Sequence, residues 1–384
     1  MRAVCVVIGS RANYSSIKSA MRAIRNHSGL RLQVIAAASA LIDRYGSVVD
    51  LIAQDGFTPD VRVHMLVEGE TPLTMAKSTG LGLLELPTVF DQLKPDIVIT
   101  VGDRFETMAT AIAASYMNIP LAHTMGGEIS GTIDESIRHA VTKLAHLHFP
   151  ANTSAAERII RMGEDPKNVF AVGCPRMDLV KGVADRYKNG LDESFLRKEG
   201  VGSSVDFKKP YLLVMQHPVT TEYGDGETQI RETLQAVTEL NMQAVMLWPN
   251  ADAGSEDIAR GMRKFRESHG AALIHFYKNL PVETFIPMMM HCACMIGNSS
   301  AAIREGSLLG VPAVDIGTRQ SGRDCAKNII HCGYDRTEIK RSIQDRLKHG
   351  TFASDPLYGD GTAGVQIADI LATCPLNISK RMTY

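Results

Sequence analysis

The segment MGGEISGTIDESIRHA, residues 125–140, places Glu128, Asp134 and Glu135 ahead of Arg138 and His139, and GDRFET places Asp103 next to Arg104. Both strings follow short apolar runs, so the carboxylates stand where a strand ends. Carboxylates gathered in a partly desolvated mouth raise one another's pKa values, which lets a carboxyl group act as general acid or base near neutral pH. Asp134 and Glu135 are equally suited to cap the helix that begins there.

The second half of the chain carries a different chemistry. In CMIGNSSAAIREGSLLGVPAV, residues 294–314, an apolar run breaks into Gly-Asn-Ser-Ser and continues as a helix carrying Arg304 and Glu305. Unpaired N–H groups and the positive end of a helix dipole attract anions, so Ser299 and Ser300 either seat a phosphate or simply cap the helix. Glu305, about a turn further on, is placed to accept both hydroxyls of a ribose. Other runs end in polar residues of the same kind: Ser10 and Arg11 in GSRANYSSIK, His217 in QHPVTTE, Asn250 in PNADAGS and Arg319 in GTRQSGRD. A guanidinium such as that of Arg11 forks two donors onto a phosphate or carboxylate. The half with the phosphate seat is therefore expected to hold a nucleotide, and the half rich in carboxylates the group attached to it.

Such residues need strand ends to stand on. Val- and Ile-rich runs at 3–9, 32–38, 96–102, 119–125, 211–216, 243–249, 271–276, 292–297 and 312–317 alternate with helical stretches. Continuous apolar strands alternating with helices signal α/β domains with parallel sheets covered on both faces, whose ligands bind at the carboxyl ends of the strands. The pattern stops and restarts between about 150 and 210, with a further helix, a short strand and a polar stretch. A hinge over Gly173–Asp178 then gives two doubly wound domains facing a shared cleft, 1–173 and 174–362, with a closing helix in 363–384.

Composition narrows the partners. The 384 residues are 45% hydrophobic and 22% charged, with a formal net charge of -1. A balance this near neutral argues against a dedicated nucleic-acid or anionic-membrane binder. The opening MRAVCVVIGSRANY reads as a first strand and not as a signal peptide, and no run approaches the roughly eighteen apolar residues of a membrane span. Seven cysteines without a CxxC pair read as small core residues in a reducing, cytoplasmic setting, and zinc-ligand spacing is absent, so no metal is expected.

Taken in order, GSRANY, GDRFET, GGEISGTIDESIRHAVTKLAH, QHPVTTE, PNADAGS, IGNSSAAIREG and GTRQSGRD resemble the UDP-N-acetylglucosamine 2-epimerases, over roughly residues 5 to 370 and particularly their hydrolysing branch. The resemblance implies a glycosyltransferase-B-like α/β fold: two Rossmann-like doubly wound domains, an inter-domain active-site cleft, and a last helix crossing back to the first domain. It implies no cofactor and no metal, a homodimer or homotetramer, and UDP held by Arg11, Ser15, His217, Asn250, Ser299, Ser300 and Glu305, with Arg104 and Arg319 near the diphosphate or sugar. The implied reaction removes the C2 proton and eliminates UDP anti to it. The resulting glycal then takes up water to give free N-acetylmannosamine and UDP, for sialic-type acid synthesis. Asp103 and Glu128 match acids of the family motif and are expected to transfer protons, with Asp134 positioning or activating water.

The chain also departs from its relatives. Met125 stands where many carry a glutamate regarded as catalytic, Asn13 where many carry Asp or Glu, and Ala40 where many carry His. These changes make UDP-2,4-diacetamido-2,4,6-trideoxyglucose a rival substrate. A non-hydrolysing epimerase, a glycosyltransferase of the same architecture and a nucleotide-sugar sensor are the alternative activities.

Overall fold

The computed structural model describes residues 1–69, 71–130, 133–188, 190, 191, 196, 199–249, 254–269, 273–278 and 280–383. They form two units: Met1–Glu128 with Ile133–Leu179 and Tyr358–Tyr384, and Ile129–Thr132 with Val180–Leu357.

In the first unit, strands β1 (Arg2–Ile8), β2 (Leu30–Ala37), β3 (Val61–Val63), β4 (Ile97–Val101), β5 (Leu121–Thr124) and β6 (Leu147–Phe149) alternate with helices α1 (Arg11–Asn26), α2 (Val48–Gln54), α3 (Pro72–Leu93), α4 (Phe105–Tyr116), α5 (Ile133–Leu144) and α6 (Thr153–Arg161), and α7 (Pro175–Arg186) follows. The strands form one parallel sheet in the order β3-β2-β1-β4-β5-β6. Alternate side chains feed opposite helix layers. Val4, Val6, Ile8, Ile97 and Ile99 meet Ile17, Met21 and Ile24 of α1 and Ile367 and Leu371 of the last helix, Ala363–Thr373. Cys5, Val7, Val98 and Leu121 meet Leu86, Phe90, Ala109 and Ala113 of α3 and α4. Both faces being dry explains why these strands read as unbroken apolar runs.

The last helix belongs to this first unit, where Arg2 donates to the carbonyls of Leu371 (2.9 Å) and Cys374 (2.7 Å). Beyond it, Lys380 donates to the carbonyls of Thr142, Lys143 and Ala145 (3.0, 2.7 and 2.5 Å) at the end of α5. The division between units falls after Leu179 and before Tyr358, whereas the sequence placed it at 173 and 362. The difference has a local cause. Ser19 Oγ donates to the Pro175 carbonyl (2.8 Å), the Asp178 carboxylate accepts from the N–H groups of Ala363 (3.1 Å) and Gly364 (2.7 Å), and Cys174 N donates to Tyr358 O (2.7 Å).

The second unit repeats the winding. Its strands are β7 (Val201–Gly202), β8 (Leu212–Met215), β9 (Ala244–Leu247), β10 (Ile274–Tyr277), β11 (Cys294–Gly297), β12 (Ala313–Ile316) and β13 (Ile329–Cys332). The helices are α8 (Gly226–Thr238), α9 (Ser255–Ser268), α10 (Val282–His291), α11 (Ser300–Ile303), α12 (Glu305–Leu309) and α13 (Arg336–His349). The sheet order is β13-β12-β11-β8-β9-β10-β7, with β7 antiparallel to β10 and every other pair parallel. β3, β6, β7 and β13 escaped the sequence reading because they are short strands at the sheet edges. Strand order reverses between β1 and β4 in the first sheet and between β8 and β11 in the second, the positions at which doubly wound sheets open a crevice for ligands. Among the described residues no helix is long and apolar enough to cross a membrane.

Candidate functional site

At the first reversal, the ends of β1 and β4 are joined by side chains. Ser10 caps α1 by accepting from Asn13 N (3.2 Å), and the Asn13 amide donates across the switch to the carbonyl of Val101 (3.0 Å). An aspartate at 13 could not make that bond, so the departure at this position has a structural use. A Cβ on Gly9 would lie 2.1 Å from Glu106 Cγ, so glycine is what lets the buried Glu106 side chain lie against β1. Glu106 accepts from Arg104 Nε (3.0 Å), fixing the guanidinium at the mouth. Ala40 is also buried and donates its N–H to Gly9 O (3.1 Å). Arg11 opens α1 half-buried, and one turn on Ser15 Oγ donates to Ala12 O (3.1 Å).

The carboxylate cluster gathers at the ends of β4 and β5. Arg138, buried on α5, pairs with the Asp103 carboxylate and donates to the backbone carbonyl of Glu128 (2.7 Å). One guanidinium thus ties the Asp103 carboxylate to the backbone of Glu128. Burying it is tolerable only because its charge is paired. Glu128 is itself 2% exposed. Asp134, in the first turn of α5, lies one helical turn before Arg138 and is half-buried. His123 Nε2 lies 2.8 Å from Gly102 O, and complete burial pushes its pKa down to about 3, so the ring is neutral and donates that bond.

Met125, in place of the relatives' glutamate, takes a left-handed backbone (φ 63°) and packs on the apolar cluster beneath the sheet. It adds nothing titratable to the cluster. The C-terminal end of α5 is fixed by Glu164, which is buried and accepts from Lys143 (2.6 Å), His148 (3.1 Å) and Lys380 (2.6 Å). Burial pushes the Glu164 pKa up, but those three donors outweigh it and hold the group at about 2.

At the second reversal, β8 is followed by Gln216 and His217, and β11 ends at Gly297 and is followed by Asn298. The buried Asn298 amide accepts from His217 N (2.7 Å) and donates to His217 O (2.8 Å), so one side chain clamps the backbone of the neighbouring strand end. Gly297 has φ 125°, and a Cβ there would meet Met215 O at 2.0 Å, which only glycine avoids. Asn298 O in turn accepts from Arg319 (3.3 Å) and Gln320 (2.8 Å). The loops after β8, β12 and β13 are further linked through Glu222, whose carboxylate takes the Thr318 hydroxyl and, at 2.8 Å, the Tyr334 hydroxyl.

Ser299 caps α11 by accepting from Ala301 N (3.3 Å), and its own proton stays available as a donor. Ser300 begins the helix half-buried. The single helix expected after Ser300 is in fact two. It breaks at Arg304 (φ -85°, ψ -68°), whose carbonyl is taken by the Ser307 hydroxyl (2.8 Å), and Glu305, 2% exposed, opens the second segment.

Arg11, Ser15, Asp103, Arg104, Glu128 and Asp134 thus stand at strand and helix ends of the first unit, and His217, Ser299, Ser300, Glu305 and Arg319 at those of the second. Asn250 lies outside the described residues. The residues that the sequence left unassigned are the linkers Asn13, Glu106, Asn298 and Glu222, together with the role of Arg138. Of these, only Arg138 left a signal, its four-residue spacing from Asp134. Among the described residues no group of three or more His, Cys, Asp or Glu side chains is placed to hold a metal ion.

The family model described as UDP-N-acetylglucosamine 2-epimerase matches residues 22–372. The chain is 31% identical, over 98% of its length and 97% of the other protein, to UDP-N,N'-diacetylbacillosamine 2-epimerase (hydrolyzing) of Legionella pneumophila. It is also 31% identical, over 94% of its length and 92% of the other, to UDP-N-acetylglucosamine 2-epimerase of Neisseria meningitidis. Among solved structures, UDP-GlcNAc 2-epimerase from Neisseria meningitidis bound to UDP-GlcNAc is similar with a TM-score of 0.79 and 16% identity, covering 97% of this chain and 99% of that one. That likeness makes the fold glycosyltransferase-B-like, two Rossmann-like doubly wound domains.

Proposed function

Because the chain belongs to the UDP-N-acetylglucosamine 2-epimerase family, we propose that it is a hydrolysing member, converting UDP-N-acetylglucosamine and water into free N-acetylmannosamine and UDP for nonulosonic acid biosynthesis. The observation that carries this reading is the Asp103–Arg138–Glu128 cluster: one buried guanidinium pairs with the Asp103 carboxylate and fixes the backbone that carries Glu128, at adjacent strand ends and one helical turn from Asp134. Epimerisation through a glycal needs a base to take the C2 proton and an acid to return one on the other face. A binding module needs neither.

In this reading Asp103 and Glu128 exchange the C2 proton, Arg104 contacts the sugar or diphosphate, and Asp134 orients water. The C2–H bond breaks, its electron pair forms the C1=C2 double bond, and the C1–O bond to UDP breaks. Water then adds its oxygen to C1 while C2 takes a proton from the opposite face. Arg11, Ser15, His217, Asn250, Ser299, Ser300, Glu305 and Arg319 hold UDP. Fixed donors such as Arg319 and the Ser300 N–H group oppose the charge that grows on the departing diphosphate.

A second reading keeps the chemistry and changes the sugar. The Legionella relative, matched over 98% of this chain, is named for UDP-N,N'-diacetylbacillosamine, and Met125 marks a change beside the acids. Offering both UDP-sugars and resolving the products by chromatography and mass spectrometry separates the cases. Free N-acetylmannosamine with UDP supports the proposal, and turnover confined to the diacetamido sugar supports the second reading. A 2-epimer still attached to UDP makes the enzyme non-hydrolysing, and absence of turnover on either sugar rejects both. Asp103→Asn should abolish turnover while UDP still binds.

A further inference from the structure

Beyond the last helix, the C-terminal segment closes on the end of α5, the helix that carries Asp134 and Arg138. His146 Nδ1 accepts from Leu121 N (3.1 Å), which leaves its Nε2 proton for Ile378 O (3.2 Å), and Thr383 N donates to Gly163 O (3.0 Å). Between these two ties stands Lys380. Its ammonium meets the carbonyls of Thr142, Lys143 and Ala145 and, at 2.6 Å, the buried Glu164 carboxylate. The last carbonyls of a helix have no partner within it and carry the negative end of its dipole, so an ammonium there satisfies and neutralises them. This cap reaches Thr142 from 238 positions along the chain. The Thr142 hydroxyl lies 3.0 Å from Arg138 O and 3.3 Å from His123 Nδ1, and the other nitrogen of that ring donates to the carbonyl of Gly102 (2.8 Å), the residue before Asp103. Arg138, one turn back from Thr142, pairs with Asp103 and donates to Glu128 O (2.7 Å). With 12 residues α5 is about 18 Å long, and a helix this short moves as one body, so a shift at its capped end reaches the guanidinium.

We propose, on the strength of the epimerase reading above, that Lys380 is a positioning residue of that reaction, its ammonium setting the placement of α5 and thereby of the Arg138 guanidinium that aims Asp103 and the Glu128 backbone. The role is geometric. Lys380 sits at the opposite end of α5 from Asp134, and what it supplies is the distance between the acids and C2. A misplacement of one ångström caused far from the chemistry can cost about a hundredfold in rate. Loss of Lys380 therefore weakens the proton-transfer step, while UDP, held by other residues, binds as before. A residue that only stabilised the fold would instead lower the number of working molecules and leave each of them unchanged.

The test compares the full chain with its Lys380→Met and Lys380→Gln variants on UDP-N-acetylglucosamine and the diacetamido UDP-sugar, each carrying hydrogen or deuterium at C2. In Lys380→Met kcat should fall on the order of tenfold, and less in Lys380→Gln, which keeps two donors. UDP affinity should stay within about twofold of wild type, and the hydrogen isotope effect at C2 should grow, because proton removal then limits more of the turnover. Melting followed by circular dichroism establishes that the variants are folded at the assay temperature. A kcat within about twofold of wild type in Lys380→Met, a fall in kcat with an unchanged isotope effect, or unfolding of both variants overturns the proposal and leaves the epimerase reading standing. A wild type that turns over neither sugar overturns that reading and this proposal together.

Discussion

Asn298→Asp keeps the size and the acceptor of the side chain and removes only its N–H donor. His217 N still has its partner at 2.7 Å, but the contact to His217 O at 2.8 Å becomes oxygen against oxygen, at a residue 1% exposed. Loss of the hydrogen bond costs about 1 kcal/mol and stranding a buried carbonyl about 1–3 kcal/mol, a sum near 3 kcal/mol. For a unit of this size that is a fall of roughly 6–12 °C in melting temperature at pH 7. The new carboxyl is buried, so its pKa is raised above the unfolded value. The deficit is therefore full above that pKa and shrinks as pH falls through it, because the protonated acid donates to His217 O again. Calorimetric melting of wild type and variant at pH 7 and pH 5 measures both effects. An Asn298→Asp protein melting within about 1 °C of wild type at pH 7 would refute the clamp, since a lost buried bond cannot be that small.

Glu164 gives an acid limit. Its pKa is lowered from 4.5 to about 2, so it contributes stability above 4.5 that is lost as pH falls toward 2, on the order of 2–3 kcal/mol. Urea unfolding from pH 6 to pH 2.5 should show that loss in wild type and a flatter profile in Glu164→Gln, which starts less stable because Lys143 and Lys380 lose their counter-charge. Gly9→Ala should cut turnover at least tenfold while the protein stays folded, because the new Cβ displaces Glu106 and with it Arg104. Steady-state kinetics beside circular dichroism decides it.

The strands that carry the site were legible because both their faces are dry. Ile97–Val101 is buried at every position, so neither face shows the polar alternation of a half-solvated strand. The polar residues that end them, Arg11, Asp103, His217 and Ser299, could be named for the same reason: polarity begins where the sheet stops. What joins them was not legible. Asn298 and His217 lie 81 positions apart, and nothing local marks an asparagine as a clamp. The Glu164 cluster draws on 143, 148 and 380, a grouping that only the fold creates. Asn13 and Met125 read as lost acids by comparison with relatives. In the structure one links two strand ends and the other fills an apolar layer, roles set by tertiary neighbours. The break at Arg304, between Ser300–Ile303 and Glu305–Leu309, leaves no mark in the helical periodicity of the sequence.

The central claim is that the acids of the first unit exchange the proton at C2 while UDP departs. Turnover of UDP-N-acetylglucosamine in deuterated water, followed by proton NMR, tests it most directly. The account predicts free N-acetylmannosamine carrying deuterium at C2 and loss of this product in Asp103→Asn. UDP release with the original hydrogen retained at C2 would contradict it.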